Sequence, residues 1–156
     1  MTHVEHAASD RMTIKPPAVA RILGGERVLR RRIRTMAELR AAVGSGLPTE
    51  ALEHAVHHLA GDSPAAAELR YAIVPKTTLQ RRGARLSLGE SERLERLARI
   101  AALAEEVWED GALAREFLTS AQPQLGGERP VDLARSDLGA REVEQLLYAI
   151  EYALPI

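Results

Sequence analysis

Apolar residues recur along this chain at helical spacing, and the polar residues between them mark where each helix should begin and end. The clearest case is residues 85–108. Ser87 and Glu90 form an S-x-x-E capping box, which predicts a helix start. Leu94, Leu97, Ala98, Ala101, Ala104 and Trp108 then fall on one face. Ile100, Leu103 and Val107 add a second stripe in the later turns, so the helix is expected to begin half-exposed and to end covered on most sides. Glu92 and Glu95 precede Arg96 and Arg99 by four residues, the favourable order for surface pairs.

The segments before it are shorter. Residues 1–15 are polar and aperiodic and are expected to be disordered. Pro16-Pro17 should open a helix over 16–23, ended by Gly24-Gly25. The run R-V-L-R-R-R-I-R at 27–34 admits two readings, a connector touching phosphate or a solvated segment, and the second is favoured from the run alone. Thr35 and Glu38 form another capping box, for a helix to Val43 stopped by Gly44-Ser45-Gly46. Residues 48–60 predict a helix with Leu52, Val56 and Leu59 inward. Ser63 as cap and Pro64 at the first helical position start another, reaching Ala72. A turn at Val74-Pro75 leads into K-T-T-L-Q-R-R at 76–82, closed by Gly83.

Beyond the central helix, Asp110 should cap a helix over 111–119 bearing Leu113, Phe117 and Leu118. A loop follows, and then a short helical turn opened by Pro130. Residues 136–139 read as a second loop. The last helix is expected over 140–152, with Val143, Leu146, Leu147 and Ile150 inward.

Composition agrees with an all-α fold. The 156 residues are rich in Ala, Leu, Arg and Glu, with one Trp, one Phe and three Tyr, so little material exists for strands. With no cysteine there is no disulfide, thiolate nucleophile or Cys-ligated metal, which fits a reducing cytoplasm. The first residues lack the apolar core of a signal peptide, and no apolar run approaches the roughly 20 residues of a membrane span. The net charge of −1 hides an asymmetry: residues 1–100 hold 17 Lys/Arg against 11 Asp/Glu, and residues 101–156 hold 4 against 11. A basic front half suits a polyanion, whereas an acidic back half would meet another protein.

Two places carry candidate binding chemistry. Residues 64–82 read as a helix-turn-helix whose second helix is basic and rich in hydroxyls. Lys76, Arg81 and Arg82 would supply charge to DNA phosphates, Thr77, Thr78 and Gln80 would hydrogen-bond, and Leu79 would anchor the helix to the core. At the other end, Tyr148 and Tyr152 lie off the core stripe of the last helix, beside Glu151, and the chain finishes Leu154, Pro155, Ile156. Exposed tyrosines and an apolar tail suit a protein-binding surface; folding back or a homodimer contact is the competing reading.

Chemistry for catalysis is not legible. The trio His54, His57 and His58 lacks the Glu of H-E-x-x-H and any evident distant ligand, so exposed histidines are expected and no metal. No histidine follows His58, and no nucleophile motif such as G-x-S-x-G occurs, which predicts a non-enzymatic protein without a cofactor.

With these residues laid out, the chain resembles the Xre/MbcA/ParS-type antitoxins that pair with RES-domain toxins. The resemblance runs from about residue 35 to 156 and is carried by V-P-K-T-T-L-Q-R-R and R-L-S-L-G-E-S-E-R-L-E-R-L-A-R-I, then A-R-E-F-L, L-G-G-E-R-P-V-D-L, G-A-R-E-V-E-Q-L-L and I-E-Y-A-L-P. Thr78, Leu79, Arg81 and Arg82 match the family's T-L-x-R-R helix. Ser87, Glu90, Ser91, Arg93 and Arg96 match its junction. Leu125, Gly126, Gly127, Pro130 and Leu133 match the loop and short helix, and Gly139, Val143, Leu146 and Leu147 the last helix. Three positions depart: Ile73 replaces a turn glycine, Phe117 stands where Trp is frequent, and Ala153 stands where Gly is usual.

With the resemblance, the chain is expected to divide into a disordered tail at 1–15, an Xre-like helix-turn-helix region for DNA binding and dimerisation at 16–86, and a helical toxin-binding domain at 87–156. The resemblance implies an antitoxin whose C-terminal end (Tyr148, Glu151, Tyr152, Leu154, Pro155, Ile156) covers the active site of a RES toxin that depletes NAD. It also implies repression of the chain's own operator, as a homodimer within a hetero-oligomeric complex in the cytoplasm. A DNA-binding regulator with no toxin partner, its acidic part serving dimerisation, is the alternative.

Overall fold

The computed structural model describes residues 13–153, and among them the chain is 72% helical with no strand. Ten α-helices follow in order: α1 Pro16–Ile22, α2 Gly25–Leu29, α3 Met36–Gly44, α4 Thr49–Ala60, α5 Pro64–Ile73, α6 Lys76–Arg81, α7 Leu88–Trp108, α8 Gly111–Thr119, α9 Pro130–Leu133 and α10 Asp137–Glu151. A 3-10 turn, Pro123–Leu125, precedes α9.

Helix α7 is the axis. Ser87 accepts from the Glu90 N–H while the Glu90 carboxylate accepts from the Ser87 N–H, so both halves of the expected capping box form. Leu94, Leu97, Ala98, Ala101 and Ala104 are buried, as are Ile100 and Leu103 of the second stripe. Two apolar stripes let one helix pack against α1, α3, α4 and α5 and also against α8 and α10. The buried apolar residues therefore form one continuous core from Val19 to Leu147.

The ends of most helices have the expected causes. Asp110 accepts from the N–H groups of Ala112 and Leu113 to start α8. Ser136 accepts from the Gly139 N–H, so α10 begins at Asp137, where a loop over 136–139 was expected. The first turn of α10 lies so close to α9 that a Cβ on Gly139 would collide with the Leu133 carbonyl. Gly126 and Gly127 both take positive φ, which turns the chain back between α8 and α9.

Other local expectations are corrected. Residues 25–29 are helical, and Val28, Leu29 and Ile33 are buried, so the basic run is anchored to the core while its arginines stay exposed. Thr35 caps α3, but Glu38 returns its bond to the Arg34 N–H and not to the Thr35 N–H. Ser63 precedes α5 without capping it; its hydroxyl donates to the Ala60 carbonyl. Arg99 pairs with Glu95 at 3.8 Å as expected, yet Arg96 turns away from Glu92 to donate to the Ala134 and Arg135 carbonyls. Leu113 is exposed on α8.

The histidines are not all exposed. His58 is half-buried on α4, against the Glu105 carboxylate of α7, which Arg21 of α1 also reaches at 3.0 Å. The His58 contact and the Arg21 bond outweigh burial and hold the Glu105 carboxyl below its usual range. Lys15 pairs with Glu106 one residue on. The first helix is thus fastened to the C-terminal half of the axis.

Candidate functional site

Helix α5, the turn at Val74-Pro75 and helix α6 make the expected helix-turn-helix. The turn needs no glycine, because Val74 is extended (φ −133°). Ile73, at the position of the missing glycine, is the buried last residue of α5. Proline 75 then supplies a fixed φ at the entry to α6.

On α6, Lys76, Thr77, Gln80 and Arg81 are exposed, Thr78 and Leu79 are half-buried, and Leu79 packs against the core. Thr77, Thr78, Arg81 and Arg82 line a shallow recess of about 450 Å³. Arg82 differs from the rest. Its guanidinium donates to Glu90 at 2.8 Å, and its side chain is 32% exposed against 5% for Glu90. Burial pushes the Glu90 carboxyl up, but the bonds from Ser87 and Arg82 outweigh it and hold the group below its usual value.

The polar residues at the start of α7 were legible as a motif but not as a device. Glu90 and Arg93 tie the helix-turn-helix to the axis, while Ser91 and Arg96 fasten other segments to it. Ser91, fully buried, accepts from the Leu47 N–H at 2.8 Å and so satisfies a donor in the α3–α4 loop. Arg93 donates twice to the Ile73 carbonyl, at 3.1 and 3.0 Å, at the end of α5. Glu90 holds Arg82 just after α6, and Arg96 reaches the carbonyls that follow α9. The signal was available: Glu90 and Ser91 sit one turn before Leu94, continuing its apolar stripe, where a polar group needs a partner.

The second candidate surface lies at the end of α10. Val143, Leu146 and Leu147 are buried, and Ile150 is half-buried. Tyr148 is 47% exposed, and its ring stands 4.5 Å from that of the half-buried Tyr152. Glu151 is half-buried beside them. Ala153 leaves the helix at φ 50°, a left-handed conformation that favours glycine, which gives a physical reason for glycine at this position. Leu154, Pro155 and Ile156 lie outside the described residues. On α7 and α8, Phe117 meets Trp108 edge-on at 5.5 Å, and these two rings with Leu113 line an open groove of about 400 Å³.

Among the described residues no three His, Cys, Asp or Glu are disposed to hold a metal ion, and no helix is long and apolar enough to cross a membrane.

Comparison with known proteins matches both halves. Residues 38–99 match the antitoxin Xre-like helix-turn-helix domain. Residues 103–153 match the antitoxin Xre/MbcA/ParS C-terminal toxin-binding domain. The two matches meet inside α7, so one unbroken helix serves both. A curated relative, "Antitoxin Xre" of Pseudomonas putida, is 33% identical over 84 residues, which is 52% of this chain and 53% of that protein. The chain thus spans about half the length of the curated relative it matches. The helix-turn-helix, the polar clasps on α7 and the two ordered matches together make this chain a member of the Xre/MbcA/ParS antitoxin family.

Proposed function

We propose that the chain is the antitoxin of a toxin–antitoxin pair and neutralises a RES-type, NAD-depleting toxin by covering its active site. The surface that does this is the end of α10, with Tyr148, Glu151 and Tyr152, and the tail Leu154, Pro155 and Ile156 beyond it. The single observation that carries the reading is the exposed Tyr148 ring lying 4.5 Å from that of Tyr152, tilted by 55°, where α10 ends, within the segment matched to the toxin-binding domain. Such paired aromatics offer large apolar area with little rotamer entropy to lose on docking. The acidic charge of residues 101–156 supports a protein partner over a nucleic acid there.

The same chain represses its own operon, with α6 against operator DNA through Lys76, Thr77, Thr78, Gln80, Arg81 and Arg82. Arg82 acts there with part of its charge already directed to Glu90. The functional regions are 16–86 for DNA binding and dimerisation and 87–156 for the toxin. The protein works as a homodimer within a larger complex in the cytoplasm and catalyses no reaction itself.

The test is co-expression with the protein encoded beside it. The account expects a stable complex that spares cellular NAD. A chain lacking Leu154, Pro155 and Ile156 should still be captured while NAD loss resumes. Full protection by the shortened chain would rule out occlusion by the tail, and the absence of any complex would rule out the antitoxin reading.

A further inference from the structure

The basic run at 27–34 has no part in the proposed surfaces, yet the fold gives it a defined presentation. Val28, Leu29 and Ile33 are buried, and the arginines between and around them are exposed. Arg30 caps α2 in a left-handed conformation, φ 56°, and the chain from there to Thr35 contains no helix. Ile33 pins this segment to the core, so its arginines stand on fixed backbone.

Their charge is barely compensated. Within 27–34, only Arg32 has a carboxylate partner among the described residues, Glu26 at 3.6 Å. Arg27, Arg30, Arg31 and Arg34 have no side-chain ion pair there. The single acidic side chain just beyond the run, Glu38, is engaged by the Arg34 N–H and the Thr35 hydroxyl.

The run also lies next to the helix-turn-helix in space. A recess of about 290 Å³ is lined by Arg30 just after α2, by Pro48, Thr49 and Glu50 at the start of α4, and by Ala84 and Arg85 just after α6. Thr49 fixes that last loop: its hydroxyl donates to the Gly83 carbonyl and its N–H to the Ala84 carbonyl. Arg30 and Arg85 thus face one recess at the exit of the helix-turn-helix, shared with Glu50, and the Arg85 guanidinium donates to the Gly46 carbonyl at 2.9 Å.

We infer that Arg30, Arg31 and Arg34 form a second, sequence-independent contact to the DNA sugar-phosphate backbone, flanking the duplex segment that α6 reads. The chemistry fits, because uncompensated guanidinium groups on a fixed segment bind phosphate with release of counterions and carry no base information. This inference rests on the DNA-binding reading of α6.

The experiment compares the full chain with the triple variant Arg30→Asn, Arg31→Gln, Arg34→Gln; Asn is used at 30 because it tolerates the left-handed backbone. The probe is a duplex carrying the promoter region upstream of the chain's own coding sequence, with a scrambled duplex of equal length. Affinity is followed from about 50 to 200 mM salt. The variant should bind both duplexes more weakly by a similar factor, and the slope of log affinity against log salt should fall by about 3. Unchanged helical circular dichroism and thermal midpoint show that the variant is folded. If the full chain binds the promoter and the variant keeps its slope, the flanking contact is wrong and the α6 reading stands. A loss confined to the promoter duplex overturns phosphate contact in favour of base readout. A loss of toxin capture with DNA binding intact makes the patch a protein surface and overturns the inference. If the full chain does not bind the promoter, the α6 reading fails and takes the inference with it.

Discussion

Replacing Glu90 with glutamine tests how the helix-turn-helix is held to the axis. Glutamine keeps an oxygen that can accept from the Ser87 N–H but removes the charge facing Arg82, 2.8 Å away. Breaking one side of a fully buried ion pair costs about 3–5 kcal/mol. Arg82 is 32% exposed and recovers part of its hydration, so the expected loss is about 1–3 kcal/mol. In urea unfolding followed by circular dichroism, with a slope near 2 kcal/mol per molar, the midpoint should fall by about 0.5–1.5 M. The pH dependence gives an independent check. The folded Glu90 carboxyl lies below its ordinary value of 4.5, so its contribution is complete above that pH and is lost as pH falls from there through the folded value. The gap between wild type and variant should be full at pH 7 and shrink below about pH 4.5. An unchanged midpoint at pH 7, or a gap that persists on acidification, would refute the clasp.

Four further outcomes follow from named residues. Burial pushes the Glu95 carboxyl up against the opposing charges of Arg99 and Arg96, so its ionised form disfavours folding at neutral pH; Glu95→Gln should raise the urea midpoint at pH 7, with the gain shrinking as pH falls through the raised folded value and gone below about 4.5, and a lowered midpoint contradicts this. Ala153→Gly should relieve about 1 kcal/mol of left-handed strain, slowing amide exchange of Tyr152 and Ala153 about fivefold, whereas faster exchange would show that the strain is absent. Lys76→Gln with Arg81→Gln removes two exposed cations that pair with no carboxylate among the described residues; promoter affinity should drop and the salt slope fall by about 2, with the unfolding midpoint unmoved. Arg82→Gln should instead lower the midpoint, through Glu90.

Periodicity sufficed where a stripe and a cap agreed. Helix α7 announced itself because Ser87, Glu90 and two apolar rows point to the same start and the same covered faces. Helix α2 did not, since its five residues, G-E-R-V-L, hold only Val28 and Leu29 as apolar positions and carry no period, and its C-cap is an arginine in a glycine conformation. The start of α10 was missed because Gly139 reads as a loop residue; its lack of a side chain is what lets the helix meet the Leu133 carbonyl. Arg82 and His58 were legible as polar groups facing solvent, and only the fold brings Glu90 and Glu105 to them. Ion pairs beyond one helical turn leave no local pattern to read.

The central claim is that the end of α10 inhibits the toxin by occupying its active site. The direct measurement is NAD consumption by the purified protein encoded beside this chain, titrated with the full chain and with its Tyr148→Ala, Tyr152→Ala variant. The account predicts complete inhibition at stoichiometric full chain, and a variant that is folded and still associates but leaves most of the NAD consumption intact. Equal inhibition by both proteins would contradict it and move the inhibitory contact to another face.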